Sequence, residues 1–151
     1  MRKVTLLMVA AAFILIIADG ALACSCAYSS PSQGFDRAQA VFTGKVVRAK
    51  GSEWVVAVDK VWKGEVRETT TLRDAHAGTS CASSYKKGAS YLFLVDVEVS
   101  ERGTVYHPQV CNWGTMLKAS RVEAGGNTES WVEDIVLKDR GEGKPPIKKG
   151  R

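Results

Sequence analysis

An all-β domain, a compact barrel of five short strands with one or two short helices, is the fold class this sequence predicts, and three observations predict it. Apolar residues alternate with others along extended runs, most clearly from Ser90 to Val99, where Tyr91, Phe93, Val95, Val97 and Val99 share one face. Glycine-bearing turns separate the runs at Lys50-Gly51-Ser52, Lys63-Gly64 and Arg102-Gly103. No strand–helix–strand alternation of the kind that builds a parallel sheet is visible.

The elements follow in order. Ser30-Pro31-Ser32-Gln33 reads as a helix start: Ser30 can cap, Pro31 suits the first turn, and Gln33 completes a capping box. The helix is expected to run to about Gln39, with Phe35 and Ala38 on one side. Residues 41–49 form the first expected strand, with Gly44 as a bulge or sharp bend. Residues 53–62 form the second. Simple alternation puts Trp54, Val56, Val58 and Trp62 on one face and Val55, Ala57 and Val61 on the other. Apolar residues on both faces suit a closed barrel that is partly covered outside.

The third strand is the threonine-rich stretch 68–73, and residues 74–88 form a loop carrying His76, Gly78 and Cys81. Residues 90–99 are the fourth strand and 104–112 the fifth, ending at Cys111. In 130–137, Ser130…Glu133 and the spacings Trp131/Ile135 and Val132/Val136 favour a short helix. Residues 141–151 show no apolar period and are expected to be flexible. Five strands in roughly a hundred residues fit an OB-type barrel. The expected organisation is a signal segment over 1–23, the barrel domain over 24–138 and a flexible basic tail over 139–151.

The first 23 residues have the three parts of a secretory signal. Arg2 and Lys3 supply the positive start, residues 4–17 the apolar stretch, and Ala21-Leu22-Ala23 the small-x-small cleavage pattern. The apolar run is shorter than the roughly 18–20 residues of a spanning helix, so no membrane insertion is expected after cleavage. Cleavage after Ala23 makes Cys24 the first residue, with a free α-amine. That amine and the carbonyl oxygen of the same residue can share one metal ion in a five-membered chelate ring. A lipid anchor on Cys24 is the competing reading, although Ala21 and Leu22 stand in the reverse of the usual lipoprotein order.

Without Arg2, Lys3 and Asp19 the exported chain holds 19 basic and 15 acidic residues, a balance of +4. Much of that excess sits at the end, from Lys144 to Arg151. No arginine-rich run interleaves with aromatics, so nucleic acid is not an expected partner. Cys24, Cys26, Cys81 and Cys111 are an even set in an exported chain, which predicts two disulfides. Side chains at i and i+2 of an extended segment stand too far apart to bridge easily. Cys24 and Cys26 are therefore tied to Cys81 and Cys111, in one order or the other. A zinc site would need Cys-x-x-Cys spacing or nearby histidines, and the chain has neither.

The sequence offers little for catalysis. It has no nucleophile elbow, no His-Glu-x-x-His and no phosphate-cradling glycine loop. His76 and His107 are its only histidines and read as surface residues. Trp54, Trp62, Trp113 and Trp131 sit in or beside strand patterns, which favours packing over an exposed recognition patch.

Cys24-Ser25-Cys26 at the start of an exported chain resembles the tissue inhibitors of metalloproteinases (TIMPs), specifically their N-terminal netrin-like domain. The likeness continues through Pro31…Phe35, Ala40-Val41-Phe42, Gly88…Tyr91-Leu92 and Val110-Cys111-Asn112-Trp113, and covers roughly residues 24–118. The resemblance implies an OB-type barrel with disulfides Cys24–Cys81 and Cys26–Cys111. It implies that the Cys24 amine and carbonyl chelate the catalytic zinc of a metalloproteinase, with Ser25 in the pocket beside that zinc. The partners it implies are zinc metalloproteinases, met by a secreted monomer with no cofactor or metal of its own. If the source is bacterial, the periplasm or a lipid anchor at Cys24 replaces secretion.

Two positions depart from the family. Asp36 stands near where its next cysteine falls, and Tyr28 stands where a proline is usual. A second reading from another class is therefore a non-inhibitory netrin-like module that docks an extracellular protein or glycan. The two diverge at the terminus, since inhibition requires Cys24 to come first with its amine unblocked.

Overall fold

The structure, a computed structural model, describes residues 31–101, 103–109, 117, 136–137 and 140–148. The elements that lie wholly within the described residues are a short helix, α1 (Pro31–Arg37), and five strands: β1 (Ala40–Lys50), β2 (Glu53–Lys63), β3 (Thr69–Arg73), β4 (Ser90–Ser100) and β5 (Gly103–Pro108). The strands close into a barrel in the order β1-β2-β3-β5-β4, as the OB-type expectation requires. Neighbours are antiparallel except β3 and β5, which run parallel and meet in register only at Leu72 and Tyr106.

The first four strands match their expected bounds to within one residue, because alternation and glycine turns are local signals. By contrast β5, expected over 104–112, ends at Pro108 with Gln109 already outside it. One side-chain orientation differs. Gly44 faces Val58 and Thr43 faces Lys60, so β2 carries Asp59 as an extra residue between them. A Cβ on Gly44 would lie 2.6 Å from both the Ala57 carbonyl oxygen and Val56 Cγ1, so only glycine permits the strands to bend together here. The bulge reverses the alternation that follows it. Trp54 and Val56 point into the barrel as expected, but Val61 joins them while Trp62 packs outside. The expectation that Trp62 shares a face with Trp54 is corrected accordingly.

Two hydrophobic clusters result. Inside the barrel, Phe42, Trp54, Leu72, Tyr85, Tyr91, Phe93 and Tyr106 pack with the smaller core residues. Outside it, Leu92 and Leu94 of β4 and Val41 of β1 are buried together with Phe35 of α1, Ala38 just after that helix, and Val136. β4 is thus buried on both faces from Tyr91 to Val95. A seven-residue helix is far too short to persist on its own. Burying a side chain such as Phe35 contributes roughly 1.5–3 kcal/mol, so packing is what holds α1 in place. Lys63 Nζ also donates to the Asp36 carbonyl at 2.7 Å, placing a cation at the helix C-terminus. The Arg140 guanidinium lies over the Phe35 ring at 4.3 Å and bonds the Asp36 carboxylate at 3.0 Å.

The expected loose tail meets a different arrangement over 141–148. Val61 and Lys144 exchange both backbone hydrogen bonds, at 2.8 and 2.7 Å. Ile147 donates to Val66 O at 2.8 Å and accepts from Glu68 at 3.1 Å. The Trp62 indole donates to Gly141 O at 2.9 Å, and Gly143 lies flat against its ring. These contacts are mostly backbone bonds, which leave no apolar period in the sequence. Val136 and Leu137 are helical, in line with the expected helix; the remainder of 130–137 lies outside the described residues, as do 110–112 of the expected fifth strand, Trp113 and Trp131.

Candidate functional site

The connection between β3 and β4 carries Cys81 and has no regular secondary structure, yet its backbone is pinned. It begins at Asp74, whose side chain turns inward and is only 6% exposed. One carboxylate oxygen accepts from the His76 N–H at 2.8 Å and the other from the Ser83 N–H at 2.7 Å. The first bond closes an Asx-turn two residues on; the second reaches across the loop and gathers its far side. The Asp74 N–H donates to Ser52 O at 2.9 Å, which fastens the loop to the β1–β2 turn.

Between these anchors the chain makes further turns. Thr79 N–H and its hydroxyl both donate to the His76 carbonyl, at 3.1 and 2.8 Å. The same Thr79 hydroxyl accepts from Cys81 N–H at 3.1 Å, so the cysteine's backbone is held directly. Tyr85 then plugs the end of the barrel, its ring edge-on to Trp54, Tyr91 and Phe93 at centroid distances of 5.0–5.1 Å. Such pairs add to the area burial of the ring itself. Lys86 N–H donates to the Tyr91 hydroxyl at 2.9 Å, which satisfies that partly buried oxygen.

Of the sequence-predicted site residues, Cys81 is placed: it is half-buried at this end of the barrel and disulfide-bonded. Cys24, Ser25, Cys26 and Cys111 lie outside the described residues, and with them the expected pairings Cys24–Cys81 and Cys26–Cys111. The two histidines are far from a shared centre. His76 sits on the loop, half-exposed. His107, on β5, has Nδ1 2.9 Å from Arg73 O and Nε2 2.8 Å from the Glu98 carboxylate. Each ring nitrogen thus faces one acceptor oxygen, which fixes the orientation of the imidazole. Glu98 itself is exposed, its side chain 65% accessible.

The arrangement presents one cysteine on a rigid support, and among the described residues no three His, Cys, Asp or Glu side chains group as a metal site. Sequence reasoning missed Asp74 and Tyr85. Asp74 left a local signal, an Asx residue directly after a strand with its partner two positions on. Tyr85 left none, since its ring meets Trp54 of β2 as well as Tyr91 and Phe93 of β4, a meeting that only closure of the barrel brings about. A cleft of about 430 Å³ lies elsewhere, between β3 and β5, lined by Glu65, Arg67, Thr70, Thr104 and Tyr106. Comparison with protein-family models finds none that matches this chain, and comparison with curated proteins finds no match either.

Proposed function

We propose that the chain is an exported, TIMP-like inhibitor of zinc metalloproteinases that acts through the α-amine and carbonyl of Cys24. What supports the reading is the built loop: a disulfide-bonded Cys81 on a backbone fixed by the buried Asp74 carboxylate and the Tyr85 plug. A bidentate ligand gains affinity only when it is ordered before it binds. A terminal Cys24 bonded to Cys81 would inherit the order of that loop, and a Cys26–Cys111 bond would fix the adjoining residues. The paired donors would displace the water on the protease zinc, and Ser25 would enter the neighbouring pocket.

The test is residual activity of a panel of zinc proteases against the native protein and a form with one residue added before Cys24. The extension converts the amine to an amide and moves the new terminus out of reach. Inhibition is expected to vanish while circular dichroism and thermal unfolding stay close to those of the native protein. Ser25→Gly is expected to shift preference among proteases without abolishing inhibition. A free α-amine titrates at about 7.7–8.0 and donates only when neutral, so inhibition should weaken as pH falls below that range. Equal inhibition by native and extended forms rules out chelation. Failure of both forms against every protease favours the non-inhibitory binding module.

A further inference from the structure

The β1–β2 turn and the end of the Cys81 loop bring five exposed cations together: Lys45, Arg48 and Lys50 from β1, and Lys86 and Lys87 from the loop. The register explains the grouping. Lys45, Arg48 and Lys50 stand opposite Ala57, Val55 and Glu53, on the outer side of strands whose Val46 and Val56 face the core. Gly88 N–H donates to Val46 O at 2.7 Å and Val46 N–H to Ala89 O at 3.0 Å, which brings the Lys86-Lys87 turn alongside β1. Glu53, the carboxylate opposite Lys50, is engaged by Arg73 at 3.2 Å. Among the described residues no carboxylate lies within ion-pair distance of the five cations.

Within this group one residue is apolar and held outward. The register shift between Val46 and Arg48 leaves Val47 without a cross-strand partner, and it is 44% exposed. The outer surface beside it is built of Val55, Ala57, Thr69 and Thr71, and Trp54, the aromatic residue at this end of the hairpin, points into the core. A single-stranded nucleic acid would want exposed rings for stacking, and this face has none. A cationic surface that also carries an exposed apolar side chain matches a bilayer interface, where lysines meet phosphates and the apolar group enters the headgroup layer.

We propose that this hairpin end docks peripherally on membranes rich in anionic phospholipid. The contact is reversible and electrostatic, separate from any insertion, and it does not depend on protease inhibition. It would hold the protein at a surface with the Cys81 loop close by, since Ser52 O and Asp74 N–H join the two.

The test is co-sedimentation of the exported protein with two sets of vesicles at ~0.15 M ionic strength: phosphatidylcholine alone, and phosphatidylcholine with about one-third phosphatidylglycerol. Binding to the anionic set alone is expected. Each cation near the surface is worth about fivefold in partition, so Lys86→Gln with Lys87→Gln should lower it about 25-fold. Val47→Ser should lower it a few-fold, by an amount that salt changes little. All three side chains are exposed, so thermal unfolding should stay unchanged. Equal binding to neutral vesicles would assign the attachment to an apolar or acylated terminus and overturn the proposal. So would no binding to anionic vesicles, or a partition unmoved by loss of the two lysines. Charge-dependent capture by a soluble sulfated polysaccharide, without vesicle binding, would likewise reject the bilayer as partner.

Discussion

The connection from Asp74 to Ala89 and the segment from Arg140 to Lys148 both lack regular secondary structure, yet they are held in different ways. The first is fixed from within by side chains: one buried carboxylate takes two backbone N–H groups, and one tyrosine fills the barrel end. The second is fixed from outside by backbone bonds to Val61, Val66 and Glu68, with the Trp62 indole as a clamp. Side-chain anchoring concentrates its dependence on a few residues. Backbone anchoring spreads it, and tolerates substitution wherever the conformation is ordinary.

Asp74→Ala should break that contrast most severely. It leaves the His76 and Ser83 N–H groups without their charged acceptor in a buried place, a loss of about 3 kcal/mol. Urea unfolding measures the change, and hydrogen exchange at His76 and Ser83 should accelerate well beyond that at β1 and β4. Asp74→Asn keeps one acceptor oxygen and should fall between. If Asp74→Ala unfolds like the native protein, the carboxylate does not organise the loop.

Removal of residues 141–151 comes next. A loose tail would be lost without consequence, whereas the observed bonds predict a loss of about 2 kcal/mol. The emission of Trp62, followed as the difference from Trp62→Phe, should move toward that of exposed indole. One residue should reproduce part of this. Gly143 has φ +73°, and a Cβ there would lie 2.9–3.1 Å from the Trp62 ring, so Gly143→Ala is expected to cost about 1–2 kcal/mol. An unchanged midpoint for both variants would return the segment to the loose-tail description.

The smallest effect concerns the linker on which that segment docks. The buried Tyr106 hydroxyl donates to Glu65 O at 2.9 Å. Burial raises its pKa above the ordinary 10.0, against the opposing influence of a Thr70 hydrogen bond and the Arg67 charge. The fold therefore favours the neutral phenol. Its contribution is complete below the unfolded value and is lost as pH rises through the folded one. Melting temperature should decline from about pH 10 upward, more in the native protein than in Tyr106→Phe. At neutral pH the variant should be less stable by about 1 kcal/mol. Parallel decline in both would remove Tyr106 from the alkaline transition.

The strands were legible because alternation and glycine turns are written locally. The reversal at Val61 and Trp62 was not, because the extra residue at Asp59 is decided by contact between Gly44 and a different strand. The docking of 141–148 was hidden for a related reason: backbone groups are the same in every residue, so pairs such as Val61 with Lys144 leave no side-chain signature. At the candidate site, Cys81 and its loop could be named from sequence. The bond from Asp74 to His76 was accessible to local reasoning, and the bond from Asp74 to Ser83 was not, since it depends on how the loop returns.

The single register pair between β3 and β5 makes the barrel a rolled sheet with one fastening. Unrolled, the strands read β3-β2-β1-β4-β5, a continuous antiparallel sheet whose two edges are the ones that meet at Leu72 and Tyr106. The antiparallel sheet can zip strand by strand, while closure joins positions far apart in the chain and pays its loop entropy last. Breathing of the folded molecule should begin at the same place, with seam amides exchanging before those of β1 and β4. Each opening bares two strand edges that could pair with another molecule. The Tyr106 hydroxyl on Glu65 O and the His107 ring on Arg73 O lie across that line as latches, and loss of either should show first as faster opening and a greater tendency to self-associate on heating.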